Sequence, residues 1–175
     1  MTPWRQLSRG HVAMALAVSV LAGCGSDKAP PPPPQPPVLD LTATGGADQN
    51  PGGSGGAAPV QVQLFQLADT GAFERADVFA LVERARATLG DALVGSETFA
   101  LAPGETTKIT RDLKPETRFV GVAVLFRDID RAVWRATAPT APHGPTRLAL
   151  TTKGLTMTLA ARTEGSKAEG SKSAP

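Results

Sequence analysis

Cysteine is nearly missing from this chain of 175 residues: there is one, Cys24. A single thiol closes no internal disulfide and makes a poor metal site, so a disulfide scaffold and a thiolate zinc centre are both excluded. Tyrosine is absent and aromatic residues make up 5% of the chain, which argues against a surface for stacking sugars. Neither sign of charge predominates, with 18 basic and 16 acidic residues, and no basic cluster of the kind that nucleic-acid binders present is visible. Long apolar runs are lacking too. The run VAMALAVSVLA, Val12 to Ala22, falls well short of the roughly 20 residues a membrane-spanning helix needs.

What the chain does have begins at its start. Arg5 and Arg9 precede that short apolar run, the pattern of a signal peptide over residues 1–23. The next residues, LAGC from Leu21 to Cys24, resemble the lipobox of bacterial lipoproteins: an apolar residue, two small residues, then the cysteine. The resemblance implies cleavage before Cys24, a diacylglycerol on its thiol and a further acyl chain on the freed amine. Several long chains together make a stable anchor, since each buried methylene contributes about 0.8 kcal/mol. Gly25 and Ser26 follow the cysteine, with no Asp directly after it, which favours the outer membrane. Loss of Arg5 and Arg9 with the signal takes the 18 basic residues to 16, level with the acidic ones.

Residues 24–37 read as lipidated cysteine and tether. APPPPPQPP, Ala29 to Pro37, can form neither helix nor sheet, because proline lacks the N–H donor and fixes φ. In polyproline II geometry it forms a stiff spacer of roughly 28 Å. Residues 163–175, with EGSK repeated and no apolar bulk, read as a disordered tail.

Between the two lies one domain, 38–162. VLDLTAT (38–44) alternates Leu39, Leu41 and Ala43 against polar residues, as a half-buried strand does. Gly45 to Ala58 is a long glycine-rich loop, and PVQVQLFQL (59–67) returns as a second strand. Val78, Leu81, Val82, Ala85 and Leu89 share one helical face, which predicts a helix over about 72–89 with Thr70 as N-cap and Gly90 just past its end. Strands follow at 97–101, 106–110, 117–127 and 132–137. The third of these, TRFVGVAVLFR, is apolar on both faces and reads as a central strand. TRLALTT and LTMTLAA form a hairpin; with Lys153–Gly154 as its loop, Leu150 faces Met157 and Leu148 faces Leu159. Short strands with turn signals and one helical pattern predict a mainly β fold, a two-sheet sandwich with one inserted α-helix.

The catalytic inventory is thin. After residue 23 the single histidine is His143, in the loop APHGP. Gly52, Ser54 and Gly56 match G-x-S-x-G in form, but a nucleophile elbow needs a strand before it and a helix after it, and here a strand follows. Asp128/Asp130 and Asp112/Glu116 sit beside basic residues in turn-like stretches, and neither pair has the ligand number of a calcium site. Trp134 reads as core, or with Arg135 as part of a partner surface. The expectation is a protein that is not an enzyme and holds no metal or cofactor.

Taken in order, the lipobox, the first strand, the Asn50–Pro51 loop, PVQVQLFQL, AFERADVFAL, LGDALVGSETFALAPGE and VGVAVLFRDIDRAVWR resemble the TssJ (VasD/SciN) family of type VI secretion lipoproteins over about Val38 to Leu159. The resemblance implies a transthyretin-like sandwich anchored in the outer membrane and facing the periplasm. It implies a partner, the periplasmic C-terminal part of TssM, which works with TssL in an envelope-spanning complex, and no nucleic acid or small-molecule substrate. It places partner contact in the loop between the first two strands, where Asp48, Gln49 and Asn50, with Pro51, come nearest to the family's Asp/Asn pattern. Two other readings compete. One is an outer-membrane lipoprotein that binds glycan, peptidoglycan or another envelope assembly machine. The other is a transthyretin-like hydrolase such as hydroxyisourate hydrolase, which needs several histidines and a C-terminal Tyr-Arg-Gly-Ser motif that this chain lacks.

Overall fold

The structure is a computed structural model, and it describes residues 34–53 and 55–162. The signal peptide, Cys24, most of the proline run, Ser54 and the tail from residue 163 lie outside the described residues.

β1 (Val38–Gly45) buries every second residue, as its alternation requires, and turns Leu39, Leu41 and Ala43 inward. It sits inside one sheet of order β4-β1-β7-β8, antiparallel to β4 (Thr106–Asp112) and parallel to β7 (Pro145–Lys153), with β8 (Thr156–Ala161) at the edge. The second sheet, all antiparallel, has the order β3-β2-β5-β6, from β2 (Val60–Leu67), β3 (Leu93–Leu101), β5 (Phe119–Leu125) and β6 (Arg135–Pro139). Leu39, Leu41, Leu148 and Leu150 from the first sheet meet Val62, Val122 and Val124 from the second in the main core. This is the expected two-sheet sandwich.

β5 is central, and its two apolar faces serve two cores. Val120, Val122 and Val124 point into the sandwich, while Ala123 and the half-buried Phe119 pack beneath the helical insertion with Phe65, Leu67, Phe73 and Leu81. Phe73 is fully buried, edge-on to Phe65 with ring centroids 5.3 Å apart. Gly121 is the floor under it: a Cβ there would lie 2.8 Å from Leu67 Cδ1 and 3.2 Å from the Phe73 ring.

The insertion departs from the single helix over 72–89. α1 (Gly71–Arg75) stops after five residues, and α2 (Val78–Leu89) starts afresh. Thr70 makes no side-chain cap; Asp77 does, accepting from Ala80 N at 2.9 Å. A short acidic side chain that can bond its own backbone ends one helix and starts another, whatever the apolar spacing says. α2 is itself bent at Arg84, whose φ/ψ of −136°/35° is non-helical. The Thr88 hydroxyl donates to Ala80 O at 3.0 Å, eight residues back. In a straight helix that separation is about 12 Å of rise, so the bend brings the two together and satisfies a carbonyl that the bend exposes. α2 ends at Gly90 as expected.

Other expectations differ too: β3 begins at Leu93 and β5 spans Phe119–Leu125, against the expected 97–101 and 117–127. The strand expected at 132–137 begins only at Arg135, because Ile129–Arg131 form a 3-10 turn and Val133 is drawn to the other sheet. Val133 N donates to Leu155 O and accepts, through its carbonyl, from Met157 N, each at 2.9 Å. That bridge fixes the β7–β8 hairpin as well. Its loop is Gly154–Leu155, with Gly154 at φ +55°, so Leu150 pairs with Leu159 and Thr152 with Met157. The expected register, with Lys153–Gly154 as the loop, is shifted. The shift preserves parity, so the apolar residues still share one face.

Candidate functional site: a braced loop at one end of the sandwich

The strand directions give the sandwich two unlike ends. The chain enters at the first end, where Gly144 N donates to Gln35 O and Leu113 N to Pro37 O, at 3.1 and 3.0 Å. β1 then runs eight residues, about 23 Å at 3.3 Å each. It delivers the glycine-rich loop to the opposite end, beside the β3–β4, β5–β6 and β7–β8 connections.

The four residues singled out in this loop take different places. Asp48 is exposed and Pro51 half-buried, whereas Gln49 and Asn50 point inward and are buried. Gln49 Nε2 donates to Leu101 O at 2.7 Å and to Ala58 O at 3.3 Å, and its Oε1 accepts from the Thr152 hydroxyl. Leu101 belongs to one sheet and Thr152 to the other, so this one amide clamps the open end of the sandwich. Asn50 adopts φ +50°, a left-handed conformation that Asn tolerates better than most residues. Its Nδ2 donates to Pro59 O at 2.9 Å, its Oδ1 accepts from Arg127 N at 2.8 Å and its own N–H donates to Gly154 O at 2.7 Å. Three connections are thereby tied together at a single residue.

Beyond Asn50 the loop closes on itself. Gly52 N donates to Gly56 O, Gly55 N to Gly52 O and Ala58 N to Gln49 O, at 3.0, 2.8 and 3.1 Å. The outer surface is Ala47, Asp48, Gly53 and Gly55–Ala57, all exposed. This is a small arch of bare backbone that offers N–H and C=O groups. Its frame is held by two carboxamides whose polar atoms are spent inside. No local pattern announces these braces, since their partners stand as much as 103 residues away.

Other sequence candidates do not converge. His143 is exposed at the entry end, in an open groove of about 700 Å³ lined by Pro37, Pro115, Arg118, Phe119 and Pro142, at the end opposite Gly52 and Gly56. The formal G-x-S-x-G match and the histidine are therefore kept apart. Asp128 is paired with Arg131 at 3.2 Å. Trp134 is half-buried against both cores. Arg135 lies 4.8 Å from the Trp134 ring and donates to Phe73 O and Ala76 O at 3.3 and 2.6 Å, so its guanidinium staples the end of α1 to the sheet. Among the described residues no group of His, Cys, Asp and Glu is placed to hold a metal ion, and no helix is long and apolar enough to cross a membrane.

Residues 37–162 match the family described as type VI secretion lipoprotein, VasD, EvfM, TssJ. Among solved structures, the chain is 35% identical to the type VI lipoprotein TssJ1 of Pseudomonas aeruginosa, with a TM-score of 0.71, covering 73% of this chain and 98% of that one. A chain of a type VI membrane complex is 26% identical with a TM-score of 0.63, covering 72% and 99% respectively. A chain in a structure described as the type VI protein TssM C-terminal domain from EAEC is likewise 26% identical, with a TM-score of 0.59 and coverage of 70% and 99%. No curated protein matches.

Proposed function

Because this chain belongs to the type VI secretion lipoprotein family, we propose that it ties the outer membrane to the type VI membrane complex by binding the periplasmic C-terminal domain of TssM, within the same assembly as TssL. In this reading residues 1–23 are removed, Cys24 carries the lipid, residues 24–37 are the tether and 38–162 the folded adaptor, facing the periplasm. The observation that supports it best is the polarity of the sandwich. The tether joins at Gln35–Pro37, and the glycine-rich loop is held about 23 Å away at the other end. An adaptor between a membrane and a periplasmic partner needs its two attachment points on opposite ends. The likeness to chains in structures of a type VI membrane complex and of a TssM C-terminal domain supports the choice of partner.

Contact with TssM falls to the exposed part of the loop, Asp48, Gly53 and Gly55–Ala57, while Gln49 and Asn50 hold its shape and Pro51 sits between. A loop framed in this way loses little further entropy on binding. The test is a pull-down from periplasmic extract of the native cell under mild crosslinking. The bait is the full lipoprotein, beside a version with Gly45–Ala58 shortened. Recovery of a TssM-type protein with the first and not the second supports both role and loop. Recovery with both keeps the role and discards the loop. Capture of glycan or a different envelope protein instead discards the role.

A further inference from the structure

Arg127 lies two residues past the end of β5 and stands at the loop end of the sandwich. Its backbone is fixed, since its N–H donates to Asn50 Oδ1 at 2.8 Å. Its side chain runs back over the arch: a Cβ added to Gly52 would lie 2.7 Å from Arg127 Nη1, so the guanidinium rests on bare glycine backbone. Among the described residues that guanidinium makes no hydrogen bond or ion pair, although Arg127 is exposed. The acid next to it in sequence, Asp128, is engaged by Arg131. Several other arginines of this fold are engaged: Arg111 on Glu97, Arg135 on the end of α1 and Arg86 on Leu93 O. An unneutralised planar cation, anchored at its base and laid against the loop, has the chemistry of an interface anchor. Arginine is enriched at binding hot spots, and its fork fits a carboxylate in bidentate fashion.

We propose that Arg127 is a partner-contact residue, that it receives a carboxylate of the partner protein, and that Asn50 is the residue that positions it against the arch. The binding surface is then a composite of the β1–β2 arch and the second residue of the β5–β6 connection. Gly52 is required in it because any side chain would displace the guanidinium. This rests on the reading above that the loop end meets the TssM domain, and the experiment separates the two.

The affinity of the detergent-purified full lipoprotein for the TssM periplasmic domain is measured by calorimetry at low and high salt. Arg127→Ala is expected to weaken binding about tenfold or more, the loss typical of a hot-spot arginine. It is also expected to flatten the salt dependence, since an exposed ion pair is screened. Arg127→Lys recovers only part of the loss, and both variants melt at the wild-type temperature. Asn50→Ala weakens binding as well, but adding Arg127→Ala to it costs little more, because the guanidinium has already lost its place. If wild type binds and Arg127→Ala binds equally well with the same salt dependence, the contact is refuted while the adaptor role stands. If the two variants are fully additive, the positioning role of Asn50 is refuted. If wild type does not bind the TssM domain at all, the adaptor role fails and this proposal with it.

Discussion

Replacing Gln49 by leucine removes the clamp between the two sheets without emptying the space it fills. The side chain is 0% exposed, as is Thr152, whose hydroxyl it accepts. The substitution strips the Leu101 carbonyl of its 2.7 Å bond and the Thr152 hydroxyl of its acceptor. Each buried polar group so stranded costs about 1–3 kcal/mol. The extra apolar surface of leucine offsets about 1 kcal/mol. The expected net loss is therefore about 1–5 kcal/mol, at its upper end a large share of the roughly 5–15 kcal/mol that stabilises a typical domain. Local opening of the loop sets a ceiling, because once the end of the sandwich frays, water satisfies the stranded groups. The assay is urea unfolding with linear extrapolation, backed by amide exchange at Ala58 and Asn50, which should speed up. Thr152→Val supplies the sharper comparison. With the hydroxyl gone, the leucine strands one group fewer, so the double variant should be more stable than the two single losses added together by about 1–2 kcal/mol. A Gln49→Leu protein within about 0.5 kcal/mol of wild type, or strict additivity in the cycle, would refute the clamp.

Gly121→Ala drives a methyl group into Leu67 and Phe73, and is expected to cost about 1–3 kcal/mol in thermal or urea unfolding, as overpacked cores do. Equal stability would mean that the insertion can shift on the sheet. Arg135→Ala frees the carbonyls of Phe73 and Ala76 and uncovers Trp134, with an expected loss of about 1–3 kcal/mol and a change in tryptophan emission; Arg135→Lys, lacking the planar fork, should restore only part. Cys24→Ser in the full chain is expected to leave the membrane fraction and appear in the soluble periplasm; persistence in the membrane would place the anchor elsewhere.

Membership of a lipoprotein family could be reached from the order of motifs along the chain. The lipobox, the alternation of β1 and the two-faced apolar run of β5 are local patterns, and local patterns report period and face directly. The helical insertion was legible as an apolar stripe but not as two helices with a bend. The stripe at helical spacing continues across Asp77 and Arg84, and nothing in the spacing says that Asp77 will cap or that Thr88 will reach Ala80. The hairpin register differs from the one its turn signal predicts because the turn is bridged to Val133, a residue of the distant β5–β6 connection.

What the sequence determined by itself is the class of fold and the buried faces of β1, β5 and the β7–β8 hairpin. These depend on residues close together in the chain. Tertiary structure alone decided which loop residues are free. Asp48, Gln49, Asn50 and Pro51 look equally polar or turn-like in sequence. Burial of Gln49 between Leu101 and Thr152, and of Asn50 between Pro59, Arg127 and Gly154, withdraws two of the four from the surface. Arg127, the last residue of the strand expected at 117–127, lies instead past the end of β5 with its backbone N–H on Asn50. A buried amide must find its partners wherever the fold puts them, and here most of those partners come from strands and turns far along the chain.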